Sequence, residues 1–309
     1  MVIRVTTNEL FKEAHINPGK DKETAFLAIN HDQVLDSNTV DGLKVQTEQI
    51  KNGVKIKVVV EEGVVIGKPV HMCFGMLHQK GVQKIDIDFH MKKNSKISVL
   101  AHCVFPSGDG VQHIMDGKIN LEEGAHYSYF EKHIHGSTGG VEVYPKAVVN
   151  VGKNARFTTD FELVKGRVGL IDMDYETNGA RNSTIEMTAK ISGREDDRIK
   201  IREVAHLKGE NSKGALTSRI AVIGKAKAQV YNELTASAKN ARGHVDCKEI
   251  MKDEAVARAV PVVEVKHPKA HVTHEAAIGG VDNKQLETLM SRGLSEDEAT
   301  DLIIQGLLS

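Results

Sequence analysis

Tryptophan is absent from the 309 residues and aromatics reach only 4%, so the interior has to be filled by Val, Ile, Leu and Ala. Side chains of that kind suit stacked β-structure better than an aromatic-rich sandwich. Cysteine is equally scarce. The three present, Cys73, Cys103 and Cys247, are far apart and odd in number, which fits free thiols in a reducing compartment. No C-x-x-C pair occurs, which excludes a zinc knuckle or a ferredoxin-type site made from neighbouring thiols. Neither charge sign dominates: 41 Lys and Arg face 42 Asp and Glu, for a net charge of -1. With no basic stripe interleaved with aromatics, nucleic acid is not an expected partner. No apolar run approaches the length of a membrane span, and MVIRVTTNEL has no signal-peptide core. A cytoplasmic protein with no membrane association is expected.

What is present is a change of texture along the chain. Thr6 and Glu9 have capping-box spacing for a short helix that Asn17-Pro18-Gly19 stops. Residues 20 to 52 are polar and rich in turn signals, and read as a loosely built lead-in. From Gly53 short apolar strands alternate with turns. They restart repeatedly on a small or short residue, any residue, then an apolar one: Ser95-Lys96-Ile97, Ala125-His126-Tyr127, Ala155-Arg156-Phe157, Asp197-Arg198-Ile199, Ala228-Gln229-Val230 and Ala270-His271-Val272. The period is near 30 residues, interrupted by two steps of 42 that suggest longer connections. A fixed period of this size without interleaved helices marks a solenoid, here a parallel β-helix. After Gly280 the spacing turns helical, with start signals at Asp282/Gln285 and Ser295/Glu298. This helical pair either covers the open end of the solenoid or docks a partner. The expected organisation is an N-terminal helix and lead-in at 1–52, a β-helix core at 53–280 and a helical region at 281–309.

The stretch richest in metal-ligand chemistry runs from Gly243 to Gly280 and holds Cys247, His267, His271, His274 and Glu275. Thiolate, imidazole and carboxylate are the side chains that bind transition metals, and thiolate selects soft ions and iron-sulfur centres. Strand alternation tests this. In HVTHEAA, His274 shares a face with Val272 and Ala276, whereas His271 and Glu275 share the other. Cys247 falls on the face of Val245, which reads as inward, so on the residues alone an inert core thiol is the favoured reading. Cys247 and Glu275 are 28 positions apart, close to one coil, which would put them on neighbouring rungs if no extra loop intervenes. The glycines at 136–140 do not form a phosphate cradle, because no GK[ST] follows.

The C-terminal stretch VEVKHPKAHVTHEAAIGGVDNKQLETLMSRGLSEDEATDLIIQG resembles the SufB/SufD family of iron-sulfur cluster assembly scaffolds, through its HEA, RGLS and EA elements. Weaker similarity extends back through VNVGKNARFTTDF and LEEGAHYSYFEKHIHG to GVVIGKPVHM. The resemblance implies a mainly β protein, a right-handed parallel β-helix with a helical C-terminal region that docks a SufC-like ABC ATPase. It also implies dimerisation through the β-helix, here a homodimer, with a transient 4Fe-4S or 2Fe-2S cluster near the interface that passes to apo recipient proteins. Residue by residue, Cys247 matches the scaffold cysteine, Glu275 the glutamate of the HE pair, and His274 the histidine used across the interface. Cys103 is held in reserve as a ligand. One departure stands out: where SufB carries a cysteine linked to sulfur receipt, this chain has His133, and imidazole cannot carry a persulfide. Mixed ligation by thiolate, carboxylate and imidazole suits a cluster that must be released.

The expected function is therefore a non-catalytic scaffold. The rivals are a β-helix carbohydrate-active enzyme, with Asp172, Asp174 and Glu176 as its compact carboxylates, and a mononuclear metal hydrolase using His271, His274 and Glu275.

Overall fold

In the computed structural model, which describes residues 5–309, the chain winds into a two-sided parallel β-solenoid of about eight coils. The amino-terminal end is a short helix, α1 (Thr7–Glu13), started by the reciprocal Thr6/Glu9 capping box. A hairpin, β1 (Phe26–Asn30) and β2 (Gln33–Asn38), and a second one, β3 (Leu43–Ile50) and β4 (Gly53–Val60), follow. The coils then take two strands each: β5 (Val70–Gly75) and β6 (Gly81–Met91), β7 (Lys96–Phe105) and β8 (Asp109–Leu121), β9 (His126–His135) and β10 (Gly140–Val151), β11 (Arg156–Leu163) and β12 (Leu170–Gly179). The remainder are β13 (Thr184–Gly193) and β14 (Arg198–Leu207), β15 (Lys213–Val222) and β16 (Lys227–Ala236), β17 (Arg242–Met251) and β18 (Val256–Val265), and finally β19 (His271–Gly280). From β5 onward the odd strands stack in one sheet and the even strands in the other, in parallel register from coil to coil.

Residues 20–52 are more ordered than a loose lead-in. β1 is buried along its whole length and pairs in parallel with β5, while β3 pairs antiparallel with β4. Both sheets therefore begin upstream of Gly53, and antiparallel strands close their first edges, which blunts an otherwise unpaired template.

The two steps of 42 residues are not long connections. They arise because the Asp197 and Ala228 restarts lie in the second sheet, at β14 and β16, whereas the others open strands of the first sheet. Within the first sheet the corner residues are Ser95, Ala125, Ala155, Ser183, Ser212, Ala241 and Ala270, spaced by 28 to 30 residues throughout. They are small because the corner is closed; from Ser95 to Ala241 every one is buried. From Ser95 to Ala241 the preceding residue turns the chain with positive φ. Asn94, Asn154, Asn182, Asn211 and Asn240 lie at φ 54 to 57°, a region Asn tolerates better than other side chains that carry a Cβ. Their amides also stack: Asn182 donates to Asn154 at 2.9 Å, Asn211 to Asn182 at 3.1 Å and Asn240 to Asn211 at 3.2 Å.

The interior between the two sheets is one continuous hydrophobic core running from Ala25 to Cys247. Cys73 lies outside it, buried in a second cluster under α1, and burial pushes its thiol pKa up to about 12. Among the described residues no helix is long and apolar enough to cross a membrane.

The helical pair, α2 (Asn283–Met290) and α3 (Glu296–Leu308), does not cover the open end. α3 folds back along the side of the solenoid, where Ile304 and Leu308 pack on Ala221 near Val164 and Ile223. Arg194 holds it there by donating to Asp301 at 2.8 Å, and Lys252 pairs with Glu296 at 2.9 Å. The last rung is consequently left uncovered: β19 is exposed along nearly its full length, and Val256, Val265 and Ile278 face solvent.

Candidate metal centres

Register decides what surrounds Cys247. β17 and β19 pair Val245 with His274, Asp246 with Glu275 and Cys247 with Ala276, a step of 29 residues. The interval of 28 between Cys247 and Glu275 is thus one short of a coil, and a one-residue offset puts a side chain on the opposite face. Within one chain Cys247 points into the solenoid, fully buried, while Glu275 points outward on the same side as Asp246. His274 shares the inward face of Cys247 one rung further on, yet it is exposed because no coil lies above it. His271 and Glu275 occupy the outer face together without His274, the parity conflict that a hydrolase site would have to overcome.

Around Cys247 the interior is polar. The Asn232 amide donates to its sulfur at 3.7 Å, Ser218 stacks on it from the previous rung, and the Ser218 hydroxyl donates to Glu249 at 3.4 Å. Glu203 is the rung neighbour of Asn232 and equally buried. Burial raises the Cys247 thiol, and it raises Glu249 to about 7 and Glu203 to about 8. Buried oxygens of Glu203, Asn232 and Glu249 lack partners, each costing on the order of 1–3 kcal/mol if left so. This is a chamber with spare acceptors beside a thiol. The signal that would have found part of it was present: Cys247 and Glu249 are two apart on a strand, so they share a face.

A second group lies deeper in the interior, among the first coils. Cys103 on β7 stacks directly on His133 of β9, and Glu131 sits two residues earlier on the same inward face. Cys103 Sγ, a Glu131 oxygen and a His133 nitrogen lie within 4.8 Å of one another, all three fully enclosed. Cys103 Sγ is 3.7 Å from Glu131 Oε1 and 3.6 Å from His113 Nε2, and His133 Nε2 is 2.9 Å from Glu131 Oε1. Tyr175, from the opposite sheet, donates to Glu131 Oε2 at 3.3 Å. Burial drives the Cys103 thiol well up, with the Glu131 carboxylate adding to it; His113 is driven well down, and His135 to about 3. Along the sequence Cys103, His113 and His133 stand apart; the β7–β9 register stacks Cys103 on His133, and His113 reaches them from β8 in the opposite sheet.

The carboxylates Asp172, Asp174 and Glu176 lie on the outer face of β12 beside a matching row of cations. Lys200 reaches Asp172 at 3.5 Å, Arg202 reaches Asp174 at 2.5 Å and His206 reaches Glu176 at 3.6 Å. Such rung-to-rung charge ladders are solvated surface pairs of small individual worth, and in the outer-face groove that Asp174 and Glu176 share with Asp86 and Asp116 these two are paired with cations.

These features define a class: a β-solenoid that stores thiol, imidazole and carboxylate groups in its interior and leaves its last rung open. Similarity to known proteins narrows it. Residues 78–307 match the domain described as "SUF system FeS cluster assembly, SufBD core domain". An iron-sulfur cluster assembly SufBD family protein of Methanocaldococcus jannaschii is 36% identical over 282 residues, covering 91% of this chain and 89% of the relative. One of Pyrococcus horikoshii is 37% identical over 284 residues, covering 92% and 86%. The chain belongs to the SufBD family of iron-sulfur cluster assembly proteins.

Proposed function

We propose that this chain is a non-catalytic scaffold on which a labile iron-sulfur cluster, its cargo, is assembled at the open end of the solenoid. The observation that carries the reading is the place of Cys247: inward, one rung below the uncovered β19, in a chamber whose oxygens lack partners. Only the terminal strand has to move for iron and sulfide to reach the thiol. Cys247 would act as the thiolate ligand and His274 as the imidazole on the same face. Glu275, facing outward, would serve a cluster shared with a second copy, whose own open end meets this one through the unpaired edges of β18 and β19. Unpaired edges of this kind are ready templates for strand pairing. One thiolate per chain, supplemented by nitrogen and oxygen, holds a cluster less firmly than four thiolates and lets it pass to apo recipient proteins. With His133 unable to carry a persulfide, sulfur would arrive as free sulfide or directly at Cys247.

The movement of β19 would be driven by a SufC-like ABC ATPase on the helical pair. α2 leaves Met290 exposed and Leu286 and Leu289 half-exposed, and α3 exposes Leu302. Replacing Leu286, Leu289 and Met290 together by Glu is expected to abolish co-elution with that ATPase while leaving the thermal unfolding midpoint within error. Retained co-elution would move the docking surface elsewhere.

The reading as a whole is tested by anaerobic reconstitution with iron and sulfide, with and without the ATPase, in wild type and Cys247→Ala. Iron and sulfide content and visible absorption are expected to fall to background in the variant. Equal content in both proteins would return Cys247 to the role of a core side chain.

A further inference from the structure

We propose that Cys103, Glu131 and His133 form a second, mononuclear site for a divalent ion of the zinc or ferrous class, enclosed in the solenoid and separate from the cluster site at Cys247. It goes beyond the scaffold reading and does not depend on it.

A chain of polar contacts orients the set. His135 Nδ1 donates to the Arg167 carbonyl oxygen at 3.1 Å, His135 Nε2 meets His133 Nδ1 at 3.1 Å, and His133 Nε2 is aimed at Glu131 Oε1 at 2.9 Å, with a proton or a cation between the two. Proteins orient metal-binding histidines in this way, through a contact at the ring nitrogen that does not ligate. Tyr175 does the equivalent for Glu131 by binding its second oxygen.

Donor geometry agrees. Bonds of about 2.3 Å to sulfur and about 2.0–2.2 Å to nitrogen and oxygen give tetrahedral edges of about 3.3–3.6 Å. The Cys103–Glu131 separation of 3.7 Å is such an edge, and the 2.9 Å His133–Glu131 contact needs to widen by only a few tenths of an ångström. His113, 3.6 Å from the thiol with Nδ1 lacking any partner, stands beside the set as a fourth donor. A thiolate, a carboxylate and an imidazole together suit zinc and ferrous iron rather than magnesium or calcium. Because all three side chains are sealed from solvent, the ion would enter while the coils close, and it would then staple the β7 and β9 rungs.

The test uses the full chain without a polyhistidine tag, refolded with Co²⁺ or Zn²⁺ under anaerobic conditions and desalted. In the Cys73→Ala/Cys247→Ala double variant, Cys103 is the sole thiol. A thiolate-to-cobalt band in the near ultraviolet with intense tetrahedral visible bands, at roughly one ion per chain, is expected there and in wild type. Adding Cys103→Ser and His133→Gln should remove both the bands and the ion, with circular dichroism reporting whether that variant folds. Folded wild type and double variant that retain no cobalt or zinc would overturn the site, as would a cobalt spectrum without a thiolate band.

Discussion

Phe161→Ala is expected to lower the free energy of unfolding by about 3–5 kcal/mol, the usual cost of emptying a fully buried aromatic site. Phe161 is 1% exposed and its ring centroid lies 4.7 Å from that of His133, in the middle of the core. The rungs above and below are tied by backbone pairing to β9 and β13, so they cannot collapse into the cavity without breaking register. In a solenoid each coil rests chiefly on its neighbours, and the damage should stay local at first. Urea unfolding followed by tyrosine fluorescence and by circular dichroism should then give separated transitions, where wild type gives one. A loss below about 1 kcal/mol would mean that this rung is not tightly packed.

Raising the pH from about 4.5 to 8 is expected to destabilise the protein through Glu203, and Glu203→Gln should remove most of that slope. Glu203 is 1% exposed, one of its oxygens has no partner, and burial lifts its pKa to about 8 from an ordinary glutamate value of 4.5. Between those values the unfolded chain has lost the proton and the folded chain keeps it. The folded state binds more protons, so stability falls as pH rises through this window and levels off above the folded pKa. A tenfold difference in proton affinity between the two states corresponds to about 1.4 kcal/mol, so the full effect is several kcal/mol. Glu249, raised to about 7, leaves a smaller slope of the same sign in the variant. Equilibrium unfolding at a series of pH values decides the matter: parallel curves for wild type and Glu203→Gln would show that the carboxyl is solvated in the folded state.

Much of this protein could be read along its own chain. The capping boxes at Thr6/Glu9 and Ser295/Glu298 form as their spacing predicts, because a cap involves residues only three apart. The coil repeat was legible for the same reason, since small corner residues recur wherever the interior closes. The inward direction of Cys247 followed from alternation with Val245, a rule that acts between adjacent residues.

Whatever depends on how one coil sits on the next was decided only in three dimensions. The sequence could not say that two of the restarts belong to the opposite sheet, because both sheets use the same corner chemistry. Nor could it separate a step of 28 from one of 29, yet that single residue turns Glu275 away from Cys247. The interior group of Cys103, Glu131 and His133 joins residues up to 30 positions apart through the β7–β9 register, and the side-on seat of α3 depends on an apolar patch at Ala221, Val164 and Ile223 contributed by different turns. Local rules fix the direction in which a side chain points, whereas its neighbour on the next rung is set by the summed length of every strand and turn between them.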